Sequence, residues 1–261
     1  MKKLSKRLVS LTFGLGMTAN LWQSVLPVRA ADHKNLEEGL PTDLEDAYPI
    51  EYQSREVQGQ FRYERQRNRR GKNLFTLDPR LEYGFVRNGQ LTISAPFLIG
   101  SADRTGGGDL TLTGLYNFNT ESLSTPAFAI SARTEFPTGY DTAGVGTELK
   151  FIATKSLGAG THLDRLHLNV SWLHNTGPQS GQRSDRYRAI LGYSRRLGPD
   201  TIIVTDFERL QELDKGRNDN IVEAGIRRQL TPRNVLSVGA GVGIGSDSPD
   251  YRITVGFQRT L

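Results

Sequence analysis

The sequence predicts an all-β chain folded as a transmembrane, antiparallel, up-and-down β-barrel of about 12 strands, and three observations carry that prediction. From Glu56 onward, apolar and polar side chains alternate in segments of about ten residues, the period of a strand with one apolar and one wet face. The connections between these segments alternate between short turns and longer polar stretches. After residue 30 the longest unbroken apolar run is four residues, Ala127 to Ile130. Any membrane crossing must therefore be made of strands, whose backbone groups pair with one another around a closed ring.

Residues 1–30 read as a cleaved Sec signal peptide. Lys2, Lys3, Lys6 and Arg7 form a basic start, Leu8 to Ala19 an apolar stretch, and Val28-Arg29-Ala30 a small-x-small cleavage site. That stretch is shorter than the roughly 20 residues of a spanning helix, so the mature chain is expected to begin at Ala31. The same segment explains the basic balance. Of 33 Lys and Arg against 28 Asp and Glu, five basic groups and no acid lie in the first thirty residues, which leaves 28 against 28. A neutral remainder speaks against nucleic acid as a partner. Zero cysteines exclude disulfides, a thiol nucleophile and thiolate metal sites. Residues 31–55, with Gly39-Leu40-Pro41-Thr42-Asp43 and Asp46-Ala47-Tyr48-Pro49, have neither strand nor helix period and read as an extended periplasmic lead-in to a barrel over residues 56–261.

The apolar sets of the barrel follow in order. The first half gives Val57 to Tyr63, Leu77 to Phe85, Leu91 to Phe97, Leu110 to Phe118, Phe128 to Phe136 and Leu149 to Ala153. The second gives Leu166 to Trp172, Tyr187 to Tyr193, Ile203 to Phe207, Val222 to Ile226, Leu236 to Val242 and Tyr251 to Phe257. Asn88-Gly89, Leu197 to Asp200 and Leu230 to Asn234 are short turns. Asn68 to Asn73, Ile99 to Gly108, Pro137 to Gly146, Asn175 to Asp185, Leu213 to Asn220 and Gly245 to Asp250 are the longer connections. Asn119 to Thr125 and Ser156 to Leu163 fall at short-turn positions but are long for them. An even strand number with short turns at one end and long loops at the other describes an outer-membrane barrel with periplasmic turns. Aromatic residues near strand ends, among them Tyr83, Phe97, Tyr116, Phe136 and Trp172, would form interfacial girdles.

The final strand carries Tyr251, Ile253, Val255, Phe257 and Leu261 on one parity, which resembles the signal read by the outer-membrane barrel assembly machinery; Arg259 and the terminal Leu depart from it. Several further pieces resemble the outer-membrane transporter family associated with phenol meta-pathway degradation. They are Gly39-Leu40-Pro41-Thr42 to Asp46-Ala47, Gly107-Gly108-Asp109-Leu110, Phe136-Pro137-Thr138-Gly139, Glu223 to Arg227 with Thr231-Pro232, and Val238 to Gly243 followed by Ser248 to Tyr251 and Gly256-Phe257. The resemblance implies a barrel in the outer membrane of a Gram-negative-type envelope, surrounded by lipid. It also implies a porin-like channel or uptake protein for small solutes, aromatic or apolar ones included, and assigns no residue a role.

Chemistry is sparse. Asp164, His167, Ser171 and Asn175 could form a lipid-hydrolysing set, but His167 and Ser171 share the polar face, where no lipid would meet them. Gly106-Gly107-Gly108 lacks the Lys of a phosphate loop and reads as a flexible loop end. Gly239, Gly241, Gly243 and Gly245 read as one strand face, the lumen face, and would let neighbouring side chains or a plug approach closely. Asp214, Asn218, Asp219, Asp247 and Asp250 are more readily solvated loop residues than calcium ligands. No catalytic residue, metal site or cofactor is expected. The informative set is the inward polar face: Arg62, Glu64, Arg80, Glu82, Arg133, Glu135, Glu148, Lys150, His167, Arg186, Arg188, Glu208, Glu223, Arg227 and Arg252. Mixed signs predict pairing across strands, and so many charges require water or partners. The expected function is a passive channel; the alternatives are a non-conducting structural or adhesion barrel and a lipid hydrolase.

Overall fold

In the computed structural model, residues 34–67, 72–101, 105–140, 144–158 and 163–261 are described. The expected signal peptide, the Ala31 start and residues 68–71 of the first loop lie outside them. The strands are β1 (Arg55–Gln66), β2 (Lys72–Val86), β3 (Gly89–Ser94), β4 (Phe97–Gly100), β5 (Gly106–Gly107), β6 (Leu110–Asn117), β7 (Ala127–Phe136), β8 (Gly146–Ser156), β9 (Asp164–Asn175), β10 (Asp185–Arg196), β11 (Thr201–Gln211), β12 (Asn218–Thr231), β13 (Asn234–Gly243) and β14 (Tyr251–Thr260). All pairings are antiparallel between ring neighbours, and β1 closes on β14 from Glu56↔Thr260 to Arg65↔Tyr251. β3 with β4, and β5 with β6, each make one stave, so the ring has the 12 staves expected.

Two staves are broken, and the chemistry of the break is local. Leu91 to Phe97 reads as one strand, yet Pro96 has no N–H to give the ladder. The stave splits at Ala95-Pro96, with the fifteen-residue β2 bridging both halves through Tyr83↔Leu91 and Leu77↔Phe97. Gly106 and Gly107, read from sequence as loop, pair with Leu98 and Phe97 instead, while Gly108 N–H bonds to the Pro96 carbonyl at 2.7 Å.

The two faces separate as the alternation requires. On β14, Tyr251, Ile253, Val255 and Phe257 are exposed outward, and Arg252, Thr254, Gly256, Gln258 and Thr260 are buried inward. Leu168, Val170, Leu191, Val222 and Val238 belong to the same outward apolar belt, each 40–60% exposed. Only a membrane would cover such a surface. Tyr83, Phe85, Tyr116 and Phe118 fringe the belt towards the turns, and Phe97, Phe136, Trp172 and Tyr187 towards the loops. Chain residues 34–54 approach from the turn end, where Ser54 leads into β1.

Candidate functional site

The segment expected to lie outside the barrel as a periplasmic lead-in is packed inside it. Residues 34–54 form a strap whose apolar side chains, Leu36, Leu40, Leu44, Ala47 and Ile50, are all 5% exposed or less. Leu36 and Leu44 pack on Ile190, Ile202 and Val204; Ala47 and Tyr48 pack on Leu115, Ala127, Ala129 and Ile152. These wall residues interrupt the polar inward face, and they give the strap an apolar seat that water alone would not.

Glycines make the seat close enough. A Cβ on Gly256 would lie 2.0 Å from Leu40 Cδ2, one on Gly225 2.5 Å from Pro41 Cγ, one on Gly239 2.5 Å from the Pro41 carbonyl oxygen and one on Gly192 2.3 Å from Leu44 Cδ2. None of these contacts would survive a side chain in place. Gly241 and Gly243 instead admit Glu223 and the Pro249 carbonyl.

Charge fixes the strap's position. Residues 31–54 hold seven acids and one lysine, net −6, whereas residues 55–261 hold 27 basic and 21 acidic groups, net +6. The neutral total of residues 31–261 conceals this split. Asp43 pairs with Arg62, with Arg252 at 2.9 Å and with Arg188 at 3.2 Å. Glu38 pairs with Arg133, with Lys150 at 2.6 Å and with Arg188 at 2.6 Å; Glu45 reaches Lys150 at 2.9 Å. Arg227, fully buried, approaches Glu37 at 3.5 Å and donates to the Leu40 carbonyl at 3.2 Å. Cross-strand pairs of the expected kind are present beside these: Arg188–Glu208 at 2.9 Å, Arg252–Glu64 at 2.6 Å and Arg133–Glu148 at 3.1 Å.

Backbone recognition completes the seat. Asn169 accepts from Glu45 N–H at 2.9 Å and donates to the Glu45 carbonyl at 2.8 Å. Thr154 Oγ1 accepts from Ala47 N–H at 3.0 Å, and Gln90 Oε1 accepts from Ile50 N–H at 2.8 Å. At the turn end, Glu121 accepts from Tyr48 Oη at 3.0 Å, Lys155 Nζ at 2.9 Å and Ser156 Oγ at 2.9 Å. Burial raises the Glu121 pKa, but the hydrogen bonds from Lys155, Ser156 and Tyr48 outweigh it and bring it down to about 2.

Beside the strap a cavity of about 470 Å³ remains along β1, β2, β3, β6 and β7 and reaches across to β10, β11, β12 and β14. It runs from Arg67, Arg217 and Asp247 at the loop end to Gln90, where the strap backbone is bound. Nine of the inward set line it: Arg62, Glu64, Arg80, Glu82, Arg133, Glu135, Arg188, Glu208 and Arg252. Strap residues Glu37, Glu38, Asp43 and Glu45 and the hydroxyls of Thr76, Thr92, Ser94, Thr111 and Thr113 line it too. The other six do not line it. Glu148, Lys150, His167, Glu223 and Arg227 are covered, and Arg186 stands apart on β10.

The hydrolase residues are not brought together. His167 lies within 3.2 Å of Thr154 Oγ1 and 2.9 Å of Ser194 Oγ. Asp164 takes the Tyr193 hydroxyl, and Asn175 Oδ1 takes Gly177 N–H. Two carboxylate groups, Glu37 with Glu56 and Glu82, and Asp43 with Glu208 and Glu223, bring oxygens within 4.8 Å of one another. Protein donors occupy them: Gln58, Gln258 and Thr92 on the first, Arg62, Arg188 and Arg252 on the second. The calcium candidates meet arginines, Asp250 with Arg67 at 2.6 Å and Asp214 with Arg217 at 3.3 Å.

A closed twelve-stave ring with an apolar exterior and a charged interior defines the class: a transmembrane β-barrel of the outer-membrane type. Residues 79–260 match the family described as "Putative MetA-pathway of phenol degradation", and the chain belongs to that family. No curated protein sequence matches. Among solved structures the chain is similar to the COG4313 outer membrane channel of Pseudomonas putida F1, with a TM-score of 0.64 and 15% identity over 83% of this chain and 98% of that one. It is also similar to the KdgM porin in complex with disordered oligogalacturonate (0.59; 10%; 79% and 99%) and to Omp33 of Acinetobacter baumannii (0.52; 11%; 81% and 99%). At these identities the likeness is one of fold.

Proposed function

We propose that this protein is an outer-membrane channel for small polar solutes, with the strap as the element that sets its bore. The observation that carries this reading is the cavity beside the strap. It is continuous over most of the barrel's height, and its wall is built from charged side chains and hydroxyls. Isolated charges in a dry lumen would cost several kcal/mol each, so this wall belongs with water. Among the described residues lining it, the apolar side chains are Leu210, Pro96 and Pro249. That lining suits ions and hydrogen-bonding solutes better than the aromatic or apolar ones the family resemblance suggested.

The barrel fold shared with outer-membrane channels, together with the apolar outer belt, supports placement in the outer membrane. Export through a Sec signal peptide and assembly through the β14 signal complete the proposed route. A non-conducting barrel is the second reading, and the strap's dense pairing favours it. Planar-bilayer recording of the refolded protein separates the two: small stepwise conductance supports the channel, and a folded but silent barrel overturns it. Liposome swelling with sugars and amino acids should show permeation up to the size the cavity admits, with no preference for apolar solutes.

A further inference from the structure

We infer that the turn-end rim of β12, β14, β1 and the adjoining turns binds anionic phosphoglyceride headgroups of the inner leaflet. This rests on the membrane placement proposed above and is independent of conduction. Outward positions on these staves switch from apolar to arginine within one pleat. Arg228 follows Ile226 on β12, Arg259 follows Phe257 on β14, and Arg55 precedes Val57 on β1. Each guanidinium thus leaves the chain about 7 Å beyond Ile226, Phe257 or Val57, and with exposed Leu230 and Leu261 following Arg228 and Arg259 on the same face the arginines stand within the turn-end fringe of the apolar belt. Arg233 and Arg87 stand in the turns on either side.

All five arginines are exposed and, among the described residues, make no ion pair or hydrogen bond through their side chains; Arg55 lies 5.8 Å from the Tyr83 ring, itself outward. The staves β12, β13, β14 and β1 are successive neighbours, so Arg228, Arg259 and Arg55 span about 14 Å of rim. The acids nearby are Asp200, on the turn whose carbonyl accepts Gln229 N–H at 2.8 Å, and Glu51, which has its own contact. The loop end differs. There Arg65 and Arg67 share Asp250, and Arg217 has Asp214. Among the described residues this rim therefore carries a run of unpaired arginines beside apolar side chains that would hold the acyl chains. Freely dissolved phosphate would gain nothing from that adjacency, whereas a lipid phosphate is held at both ends.

The test uses protein purified from outer membranes and reconstituted in phosphatidylcholine vesicles with trace spin-labelled lipid. The probes are phosphatidylglycerol and phosphatidylcholine, compared by their share of the motionally restricted population. The expected selectivity for phosphatidylglycerol is about threefold to tenfold at low salt, falling towards one in 0.5 M NaCl because the contacts are exposed. Substituting Arg55→Gln, Arg228→Gln and Arg259→Gln together should abolish it, while Arg65→Gln with Arg209→Gln at the loop end should leave it intact. Insertion with no selectivity in the parent protein, or selectivity unchanged in the triple variant, overturns the inference alone. Failure of the parent protein to restrict either lipid overturns the membrane placement with it.

Discussion

Neutralising the strap's two central carboxylates should unseat it without unfolding the barrel. Asp43 contacts three arginines, and Glu38 contacts two arginines and Lys150. A hydrogen bond to a charged group contributes about 1.5–3 kcal/mol net, and an amide keeps part of it. Because the cavity supplies water to the abandoned arginines, the low end applies, at about 2–3 kcal/mol for each substitution. Arg188 is shared by both carboxylates, so the double variant Glu38→Gln/Asp43→Asn should lose less than the sum, about 3–4 kcal/mol. That raises the ratio of unseated to seated strap by about 150-fold to 900-fold. The ladder from β1 to β14 does not involve either residue, and the variant should refold with parental heat-modifiable mobility. In planar bilayers, large openings should become correspondingly more frequent. A folded double variant with openings as rare as the parent's would refute the claim that these pairs hold the strap.

Four further outcomes follow from the same geometry. Gly239→Val places its Cβ 2.5 Å from the Pro41 carbonyl, so it should raise conductance while refolding yield stays near parental. Val170→Arg, on the lipid belt, should lower folding into vesicles by about 2–4 kcal/mol. Asn169→Ser should fold but lose both bonds to Glu45, which protease sensitivity of the strap would report. Glu121 is depressed to about 2, so its hold on Tyr48 is complete above its unfolded pKa near 4.3 and is lost as pH falls towards 2. Pepsin should cut the strap increasingly over that window, and Glu121→Gln should be cut at its upper end as readily as the parent is at pH 2.

The barrel is legible in the sequence because its physics is periodic. Each stave repeats one alternation, and Leu168, Val170 and Val255 face outward for the same reason that Asn169 and Thr254 face inward. Pro96 breaks the repeat because it has no N–H to give the ladder. The strap is illegible to periodicity because its contacts reach from residues 36–50 to partners more than a hundred positions away, as in Glu45 with Asn169 and Leu40 with Arg227. Two signals did mark it. One is the local excess of acid, hidden by the neutral total. The other is inward apolar residues where polar ones belong: Ile152, Ile190, Ile202 and Val204. Read by face alone, Asn169 and Arg188 look like lumen positions open to polar exchange. The strap makes both specific, since Asn169 binds its backbone and Arg188 two of its acids. Of the glycines that share the lumen-face parity, Gly239 admits Pro41, 198 positions before it, whereas Gly245 lies beyond the end of β13 in a left-handed conformation with nothing close to it.

The most direct test of a polar path restricted by the strap is single-channel conductance of the refolded protein with and without residues 34–50, in the same lipid and salt. The account predicts small steps for the intact protein and steps several-fold larger, without closures, when the strap is removed. Equal conductance in two correctly folded barrels would contradict it.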